Sequence, residues 1–558
     1  MKCLFTIIAV SIAFTLSATT GGTFSLLEIN PLHGSSALTA SSDSARTFYG
    51  AGALSGFTGM GGKLYFAAQA TPGDDELWVT DGTGSGTYLI KAINPGHGAV
   101  LGNLVLVNNH ILFMASDNGT DWDLWSTDGT NTGTVKIDEL NAPSNTALGP
   151  NNVSVMGNNL IFCAQQKLLR SNGTVSGTDS LLSIANYSQG FGYCELNGKV
   201  YFILPEVSGN DEIWSTDGTG AGTQWLADLS AAPHHIASAN EMLSFDGMIY
   251  LSATDSGQST PSLYTYDGLL NGQITRVPIG TGGNAYPHGL RKYNNILYFI
   301  ATDSLTSNLY KIDIGHSTPV PLIPGSTFTS LSNLTFANNT AYTMEPGGKQ
   351  IHTIELTGFT CSALNLTGYH LPNFPDRNKE FLVGANGQVF FEAYDSASNA
   401  QMLMQSDLTG AGTQPVMPVG ANTTHPFNSR SSGGIQDVFD LQMWGSKVIV
   451  PANFNNAGRE LWIYDPAGTN GVAEIKNEGS LAIYPNPAVN VLTVKVTPCS
   501  TCEKQINVIN TDGQTVMQKT LQQETTIINL PSLSSGVYMV TITEDGKVTG
   551  TKKLAVLR

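Results

Sequence analysis

The sequence is short of charge, and positive charge is the scarcer sign. Only 12% of its 558 residues are charged, and 26 Lys and Arg face 43 Asp and Glu, for a formal net charge of −17. Such an acidic, charge-poor exterior repels nucleic acids and anionic membranes. We therefore exclude nucleic acid as a partner, whereas neutral glycans, other proteins and cations stay as candidates.

Long apolar runs are also missing beyond the N-terminus, where nothing approaches the roughly 20 residues of a transmembrane helix. The apolar run from Leu4 to Leu16 follows Lys2 and precedes small residues, as in a secretory signal peptide. We predict a signal peptide over residues 1–20, a leader or loose linker over residues 21–45, and an exported protein without a transmembrane segment.

Cysteine is scarce, with six in the whole chain. Cys499 and Cys502 form a C-x-x-C pair, but no second pair completes a zinc site and no βαβ pattern accompanies it as in a redox site. Because export exposes thiols to oxidants, we predict a disulfide between them. A second bridge between Cys163 and Cys194 is a further hypothesis, which leaves Cys361 as a buried free thiol.

Common catalytic motifs are absent. The sequence contains neither His-Glu-x-x-His nor Gly-x-Ser-x-Gly, which mark metallopeptidases and serine hydrolases. His234 and His235 are adjacent, but strand neighbours point to opposite faces, so we expect no metal there. Glu392, Asp376 and Arg377 lie where the repeats described next are irregular, and irregular repeats arise by neutral drift as well as by function. We assign no catalytic, cofactor-binding or metal-binding residue, and we expect no cofactor.

A repeated phrase is the strongest signal in the chain. Glu-Leu-Trp-Val-Thr-Asp-Gly-Thr at residues 76–83, closed by Gly86-Thr87, returns with small changes at residues 123–130 and 212–219. Trp125 follows Trp78 by 47 residues, so one supersecondary unit has been copied. In the first unit the apolar runs predict four short strands, from Lys63–Ala68 to Asn103–Val107, without helical periodicity, which is typical of a propeller blade.

Degenerate copies of the repeated phrase continue the pattern near residues 168, 263, 309, 351, 402 and 460. Together with the first three copies they make nine repeat units. The last unit ends near Asn477 after three strands, and Ala51–Gly62 ahead of the first unit is predicted to be an orphan fourth strand. Pairing the first strand with the last blade would close a ring and remove exposed sheet edges. We predict an all-β fold, with a closed β-propeller of eight or nine four-stranded blades over residues 46–478.

The Asp-Gly-Thr segment has two interpretations. Asp caps a turn through backbone N–H groups, the first Gly accepts a positive φ, and the second Gly suits a bulge. Alternatively the carboxylates bind Ca²⁺, but that ion needs several oxygens from one loop and each repeat supplies a single carboxylate. The turn role is favoured.

The repeated tryptophans are predicted to pack between adjacent blades, since an aromatic at one fixed place per blade most simply belongs to the core. Carbohydrate stacking is the alternative. Trp122 lies outside the repeat frame and is the better candidate for an exposed aromatic. The core interpretation covers Trp78, Trp125, Trp214 and Trp462.

Composition changes after Asn477, where short alternating strands separated by turn signals predict a small β-sandwich over residues 479–558. Its motifs are Tyr-Pro-Asn-Pro at Tyr484–Pro487, Asp-Gly-Gln at Asp512–Gln514, Gly-Val-Tyr at Gly536–Tyr538 and a basic close. This segment closely resembles the type A C-terminal sorting domain of the type IX secretion system of Bacteroidota.

The resemblance implies that residues 479–558 engage the type IX machinery and pass the chain across the outer membrane, after which the domain is removed or exchanged for a lipopolysaccharide linkage. The repeats are similar to those of hyalin-like surface proteins of the same bacteria. We therefore expect a secreted or outer-membrane surface protein that binds an extracellular glycan or protein ligand without catalysis. The alternatives are a secreted propeller enzyme degrading polysaccharide or peptide, and a structural envelope component.

Overall fold

The computed structural model describes five N-terminal residues and most of the chain from residue 57 onward. The described residues are 23–27, 57–69, 74–84, 86–97, 99, 104–142, 153–185, 191–207, 211–231, 236–280, 285–303, 306–323, 325, 327–328, 330–345, 350–371, 382–385, 387–409, 412–418, 441–452, 460–467, 481–484, 488–496, 504–509, 515–521, 523, 525–530, 533–534, 536–544 and 547–556. The chain divides into two compact units, Met1–Gly468 and Thr469–Arg558.

The described part of the first unit consists of nine consecutive antiparallel sheets and contains no α-helix; its one short 3-10 helix is Val175–Gly177. After β1 (Thr23–Leu27), sheet 1 contains β2 (Phe57–Met60), β3 (Lys63–Gln69), β4 (Asp75–Thr80) and β5 (Tyr88–Lys91). Sheet 2 contains β6 (Val105–Val107), β7 (His110–Ala115), β8 (Trp122–Thr127) and β9 (Val135–Ala142). Sheet 3 contains β10 (Val153–Met156), β11 (Asn159–Ala164), β12 (Lys167–Ser171) and β13 (Thr178–Ser183), and sheet 4 contains β14 (Phe191–Leu196), β15 (Lys199–Pro205), β16 (Asp211–Thr216) and β17 (Gln224–Asp228).

Sheets 5 to 9 continue the order. Their strands are, for sheet 5, β18 (Ile236–Phe245), β19 (Met248–Asp255), β20 (Ser262–Tyr266) and β21 (Ile274–Val277); for sheet 6, β22 (His288–Tyr293), β23 (Ile296–Asp303), β24 (Thr306–Asp313) and β25 (Val320–Pro321); for sheet 7, β26 (Ser332–Ala337), β27 (Thr340–Met344), β28 (Ile351–Glu355) and β29 (Cys361–Ala363); for sheet 8, β30 (Tyr369–His370), β31 (Leu382–Ala385), β32 (Gln388–Asp395), β33 (Gln401–Ser406) and β34 (Gln414–Pro415); and for sheet 9, β35 (Gln442–Trp444), β36 (Lys447–Ala452) and β37 (Glu460–Asp465), completed by β1.

The sequence predicted the right strands but placed the sheet boundaries one strand late. Residues 103–107, predicted as a fourth strand, contribute the first strand of sheet 2, and the predicted orphan strand over residues 51–62 contains β2, the first strand of sheet 1. The physical reason is the two-residue turn between first and second strands. Asn108 and Asn109 have φ of 48° and 57°, the left-handed pair that a tight hairpin with matching twist needs.

The N-terminal strand β1 completes sheet 9, so the predicted linker over residues 21–45 does not hold for Thr23–Leu27. β1 pairs antiparallel with β37, with Thr23 opposite Asp465 and Leu27 opposite Leu461. The expectation that an N-terminal strand joins the last sheet is met by β1 rather than by the orphan strand. Leu27 is 1% exposed, so this pairing also buries an apolar side chain in the core.

The core lies in layers between successive sheets. Between sheets 1 and 2, Leu77 and Val79 pack with Ile111, Phe113 and Trp125. A cluster of the same kind joins sheet 9 to sheet 1, and its buried members are Leu27, Phe57, Leu64, Phe66, Ala68, Ile449, Leu461 and Ile463. Burying apolar area at about 25 cal/mol per Å² makes each such layer the main source of cohesion between neighbouring sheets.

A second contact between neighbouring sheets involves the first glycine of the repeated phrase. A Cβ built on Gly129 of sheet 2 would lie 2.4 Å from Tyr65 Oη of sheet 1, and one built on Gly82 of sheet 1 would lie 3.3 Å from Trp444 Cζ3 of sheet 9. Sheets 2–3, 3–4 and 4–5 repeat the contact through Gly173, Gly218 and Gly268. In addition, Gln442 Nε2 donates to Phe57 O at 3.1 Å, across the boundary of sheets 9 and 1.

The second unit contains two sheets around one apolar core. One sheet has the order β38 (Leu481–Tyr484), β39 (Val491–Val496) and β42 (Thr525–Asn529), and the other has the order β41 (Thr515–Leu521), β40 (Lys504–Ile509), β43 (Gly536–Glu544) and β44 (Lys547–Val556). Leu492, Val494, Ile506, Val540 and Ile542 lie at the centre of the core. This is the sandwich arrangement that alternation predicted. In the described ranges of either unit, no helix has the length and apolarity to span a membrane.

Candidate binding face of the repeated sheets

Each sheet has two chemically different ends. Because the strands are antiparallel, the connection between first and second strands and that between third and fourth strands lie at one end, which we call the turn end. The other two connections lie at the opposite, loop end. The repeated Asp-Gly-Thr segments belong to the turn end, and the residues preceding Leu-Trp belong to the loop end.

The Asp-Gly-Thr segment of sheet 1 forms a closed hydrogen-bond network. Asp81 Oδ1 accepts from Thr83 N at 2.9 Å and from Thr83 Oγ1 at 2.7 Å. Gly86 N donates to Thr83 Oγ1 at 3.0 Å, and Thr87 Oγ1 donates to Thr83 O at 2.7 Å. Thr80 Oγ1 lies 2.7 Å from Thr87 Oγ1 and accepts from the N–H of Gly82. The predicted turn role of the Asp is confirmed.

The same network recurs in sheets 2, 3, 4 and 8, where Asn172 replaces the Asp in sheet 3. The hydroxyl pair that ties the third strand to the fourth is 2.7 to 2.8 Å apart in Thr127–Thr134, Ser171–Thr178, Thr216–Thr223 and Ser406–Thr413. Hydrogen bonds from Thr side chains lower the pKa of the four Asp carboxyls, Asp81, Asp128, Asp217 and Asp407.

The two glycines of the segment have different reasons to be glycine. Gly82 has a φ of 90°, which costs a residue with a Cβ energy that glycine does not pay. The second glycine was predicted to form a bulge, and that prediction is wrong. A Cβ on Gly86 would lie 1.9 Å from Asp81 Oδ1, so glycine is required by the close approach of the carboxylate.

The calcium alternative finds no support in the turn. Asp81 uses Oδ1 for the Thr83 donors of its own turn, and the part of the chain that the structure describes contains no group of three or more His, Cys, Asp or Glu side chains fit for a metal. His234, His235, Asp376 and Arg377 lie outside the described residues, as do Cys499 and Cys502 with their predicted disulfide.

The repeated tryptophans belong to the core, as predicted. Trp125 and Trp462 are 6% and 8% exposed, and Trp78 and Trp214 pack against the layers at sheets 9–1 and 3–4. The prediction of an exposed Trp122 is wrong. It lies in β8, half-buried against the apolar layer between sheets 2 and 3, at the position that Asp75 and Asp211 hold at the starts of β4 and β16.

The predicted bridge between Cys163 and Cys194 is also wrong. Both are buried free thiols, and Tyr193 Oη donates to Cys163 Sγ at 3.0 Å. Cys361 is free as predicted but only partly buried. Burial raises the pKa of Cys361 and so disfavours its thiolate, which is the nucleophilic form.

At the loop end, the residue before the repeated Leu clamps the end of the fourth strand or the chain just after it. In sheet 1, Glu76 is 2% exposed, and its two carboxylate oxygens accept from Ile93 N and Asn94 N at 2.9 Å each. Burial raises the pKa of Glu76, and the two N–H donors oppose that rise. The clamp recurs in sheets 2 and 6, where Asp123 accepts from Asn141 N and Asn308 accepts from Ile323 N. In sheet 7, Gln350 donates to Leu364 O instead. The repeated phrase did not predict this role.

Glu392 is the exception among buried acids. It lies on β32 of sheet 8, is 3% exposed, and accepts no hydrogen bond from the described residues. In the strand register, Glu392 pairs with Leu403, which holds the repeated Leu position of sheet 8. In the other eight sheets the residue paired with that position is uncharged: Ala67, Met114, Cys163, Ile203, Ser252, Ile300, Met344 and Pro451. Burial raises the pKa of the Glu392 carboxyl well above its usual range.

Near Glu392, Tyr394 accepts a hydrogen bond at Oη from Gln401 Nε2 at 2.9 Å, and His370 stacks on the Tyr394 ring at 5.3 Å between centroids. The structure therefore places the buried Glu392, Tyr394 and Gln401 and the exposed His370 at the loop end of sheet 8, in the irregular part of the repeats.

Comparison with known proteins characterises the C-terminal unit. A family model, the secretion system C-terminal sorting domain, matches residues 482–557. This segment is a type IX secretion sorting domain, and it indicates an exported protein that is secreted or attached to the cell surface. No curated protein sequence matches the chain.

Several solved structures are weakly similar to the chain. One from a study of two prolyl endopeptidases is 11% identical with a TM-score of 0.36, covering 63% of this chain and 54% of that one. Prolyl oligopeptidase B from Galerina marginata is 12% identical with a TM-score of 0.35, covering 62% and 55%. Virginiamycin B lyase from Staphylococcus aureus is 13% identical with a TM-score of 0.31, covering 56% and 94%. This chain thus spans about half the length of the prolyl peptidases.

Proposed function

We propose that the nine sheets are the blades of a closed β-propeller. The supporting observation is that sheet 9 meets sheet 1 through the same contacts that join sheets 1 and 2, an apolar layer and an aromatic side chain against the turn glycine. β1 gives sheet 9 its fourth strand, so N- and C-terminal segments share one sheet. A closed ring leaves no inner sheet edge open to another chain.

The propeller is a binding protein displayed outside the cell. Its signal peptide is removed, the type IX machinery carries it across the outer membrane through residues 479–558, and the loop ends of the sheets bind an extracellular glycan or protein. The observation that carries this function is the sorting domain match over residues 482–557. The repeated turn residues are engaged in their own networks, which favours the loop end as the binding face.

Binding assays on the purified chain test the proposal. We expect the chain to bind a defined glycan on an array or an extracellular matrix protein on a coated surface. Exchanging turn-end residues such as Thr83→Ser should leave that binding unchanged, because they lie at the opposite end. A chain that is folded by circular dichroism yet binds no glycan and no matrix protein would contradict the proposal.

A secreted propeller enzyme is the second candidate, and Glu392 favours it. Burial raises the pKa of the Glu392 carboxyl, and a carboxyl with a raised pKa can act as a general acid. Within the described ranges, however, no second carboxylate or histidine bonds to Glu392, whereas glycoside hydrolysis needs a pair of carboxyl groups. Hydrolysis of a polysaccharide or peptide panel that is lost in Glu392→Gln would support the enzyme over the binding protein.

A further inference from the structure

Exposed hydrophobic side chains are unevenly divided between the two ends of the sheets. Among the described residues of the first unit, two of them, Val207 and Tyr286, lie at the loop end. The others lie in a turn-end connection or within two residues of one, and they are Tyr88, Leu89, Leu106, Val135, Val155, Val175, Leu269, Leu270, Ile314, Val320 and Leu408. The turn end therefore exposes most of the apolar surface that this unit leaves uncovered.

Two leucines of sheet 5 stand where the repeated phrase has Thr-Gly. After the shared Asp-Gly, sheet 5 has Leu269 and Leu270 in place of Thr83 and Gly84 of sheet 1. The two leucines are 63% and 58% exposed. Asp267 Oδ1 still accepts from Leu269 N at 3.0 Å, as the Asp of sheet 1 does from Thr83 N. The turn thus starts with the same hydrogen bond, and the leucine side chains add apolar surface to it.

Ile314 of sheet 6 adds a third exposed aliphatic side chain at this end. It is 55% exposed, and the next residue, Gly315, donates its N–H to Asp246 Oδ2 at 2.7 Å. Asp246 lies between the first and second strands of sheet 5, so this connection of sheet 6 lies against the turn end of sheet 5. We call Leu269, Leu270 and Ile314 the aliphatic patch. Exposed apolar surface on neighbouring elements is typical of interaction sites.

The turn end has charge of one sign in its connections. Between the described strands of the nine sheets, the turn-end connections contain no lysine or arginine. Their aspartates are Asp81, Asp128, Asp217, Asp246, Asp267 and Asp407. Beside the patch, at the end of β24, Asp313 is paired with Lys311 at 2.9 Å. The connections that carry the aliphatic patch therefore combine apolar side chains with carboxylates.

This combination selects among the surfaces that could cover the patch. An anionic lipid surface would meet like charge, and so would the turn end of a second copy of the chain. A surface that joins aliphatic side chains to lysine or arginine matches both features. Since exposed ion pairs contribute little free energy, the apolar contacts supply most of the affinity and the charges supply selectivity.

We propose that the turn end of sheets 5 and 6 binds a cationic amphipathic segment of another protein. Aliphatic side chains of that segment pack on the aliphatic patch, and its lysine or arginine side chains pair with Asp246 and Asp267. This face lies opposite the loop end, so the inference goes beyond the proposed function and does not depend on the glycan or protein ligand bound there.

Fluorescence anisotropy with the full purified chain tests the face. The probes are a labelled helical peptide of leucine and lysine with one apolar side, the same peptide with glutamate in place of lysine, and the same peptide with serine in place of leucine. We expect the leucine–lysine peptide to bind at least about tenfold more tightly than either of the others, because it alone matches both the patch and the carboxylates. Added salt should weaken its binding.

Variants of the patch decide whether the peptide binds there. Leu270→Ser combined with Ile314→Ser should weaken binding of the leucine–lysine peptide at least about tenfold, because the apolar contact area is lost. The matched control is Val207→Ser, which changes a side chain that is 76% exposed at the loop end. It should bind like the wild type. Because these side chains are exposed, the melting temperatures should stay unchanged.

Variants of charge test the carboxylates separately. Asp267→Asn should weaken binding about two- to fivefold, as expected for one exposed ion pair, and should reduce the effect of salt. The amide can still accept the turn hydrogen bond, as Asn172 does in sheet 3. Glu139→Gln removes a carboxylate whose side chain is 77% exposed on β9, away from the turn end, and should leave binding unchanged.

The inference is overturned if the three peptides bind alike, if the double patch variant binds like the wild type, or if Val207→Ser weakens binding as much. Binding of the chain to neutral phosphatidylcholine vesicles that the patch variant abolishes would assign the patch to lipid instead. A dimer that the patch variant dissociates would assign it to a second copy. The patch variant should keep any glycan or matrix binding, so failure of this inference and failure of the proposed function are read separately.

Discussion

Leu408 holds the turn position that glycine occupies in sheets 1 to 4. Its φ of 73° is left-handed, which costs a residue with a Cβ about 1–2 kcal/mol, and its side chain is exposed. We expect Leu408→Gly to raise the free energy of unfolding by about 1 kcal/mol, since the greater freedom of glycine in the unfolded chain offsets part of the gain. Urea denaturation followed by circular dichroism measures this.

The matched control is Leu269→Gly, at another exposed leucine, whose φ is not positive. There glycine should lower the free energy of unfolding by about 0.5–1 kcal/mol. If both variants are destabilised alike, the left-handed strain assigned to Leu408 is wrong.

Glu392 should cost stability at neutral pH. Burial holds its folded-state pKa well above 4.5, so the protonated form suits the fold. The penalty is absent below the unfolded pKa and grows as pH rises toward the folded pKa. Glu392→Gln should therefore increase stability at pH 7 by about 1 kcal/mol or more and flatten the pH dependence above pH 4.5. Chemical denaturation across that range tests it.

Glu76→Gln serves as the comparison, because Glu76 accepts two backbone N–H bonds. It should lose stability, by about 1 kcal/mol or more. An equal gain in both variants would show that burial alone, rather than the lack of a partner, governs Glu392.

At the scale of the elements, the Asp-Gly-Thr turns should make the protein acid-sensitive. The pKa of Asp81, Asp128, Asp217 and Asp407 lies below the usual 3.8. Their stabilisation is complete above the unfolded pKa and is lost as pH falls through the folded values. Replacing all four by Asn should reduce the loss of melting temperature between pH 5 and pH 2, measured by scanning calorimetry.

Sheet 3 provides the control within the chain, since Asn172 already forms the same turn with Thr174. Asn172→Asp should add acid sensitivity without disturbing the melting temperature at pH 7. If the fourfold variant melts at a much lower temperature at pH 7, the Asp carboxylate stabilises the turn through an interaction that the Asn amide cannot make.

Much of this element-level structure follows from the sequence. The Asp-Gly-Thr phrase and its tryptophan predicted the third strand, the turn and the core face, because those residues act within one sheet. The clamp was missed because Glu76 acts on Ile93 and Asn94, whose backbone position depends on where β5 ends.

β1 was missed for a different reason. Thr23–Leu27 contains no part of the repeated phrase and lies in a Ser- and Thr-rich segment. Its partner strand β37 is more than 400 residues away in the chain. Local pattern cannot reveal such a pairing. The sheet boundaries were placed one strand late because local pattern fails there as well. The tight turns indicate which neighbouring strands pair, but they do not indicate where one sheet ends and the next begins.

At the scale of the whole molecule, β1 should stabilise the entire first unit. A chain starting at residue 28 lacks the strand that pairs with β37 and the buried Leu27. We expect its melting temperature to fall by several degrees relative to a chain starting at residue 21, because deleting a buried leucine side chain alone costs about 2–5 kcal/mol. Differential scanning calorimetry of the two chains measures the change, and equal melting temperatures would contradict the pairing.

An experimental structure of the chain from residue 21, by crystallography or electron cryomicroscopy, tests the closed ring most directly. A closed propeller predicts nine sheets around one axis, with β1 beside β37 and the Trp444 indole against Gly82. An open array of sheets, with Trp444 in solvent and the edge of β37 unpaired, would contradict it.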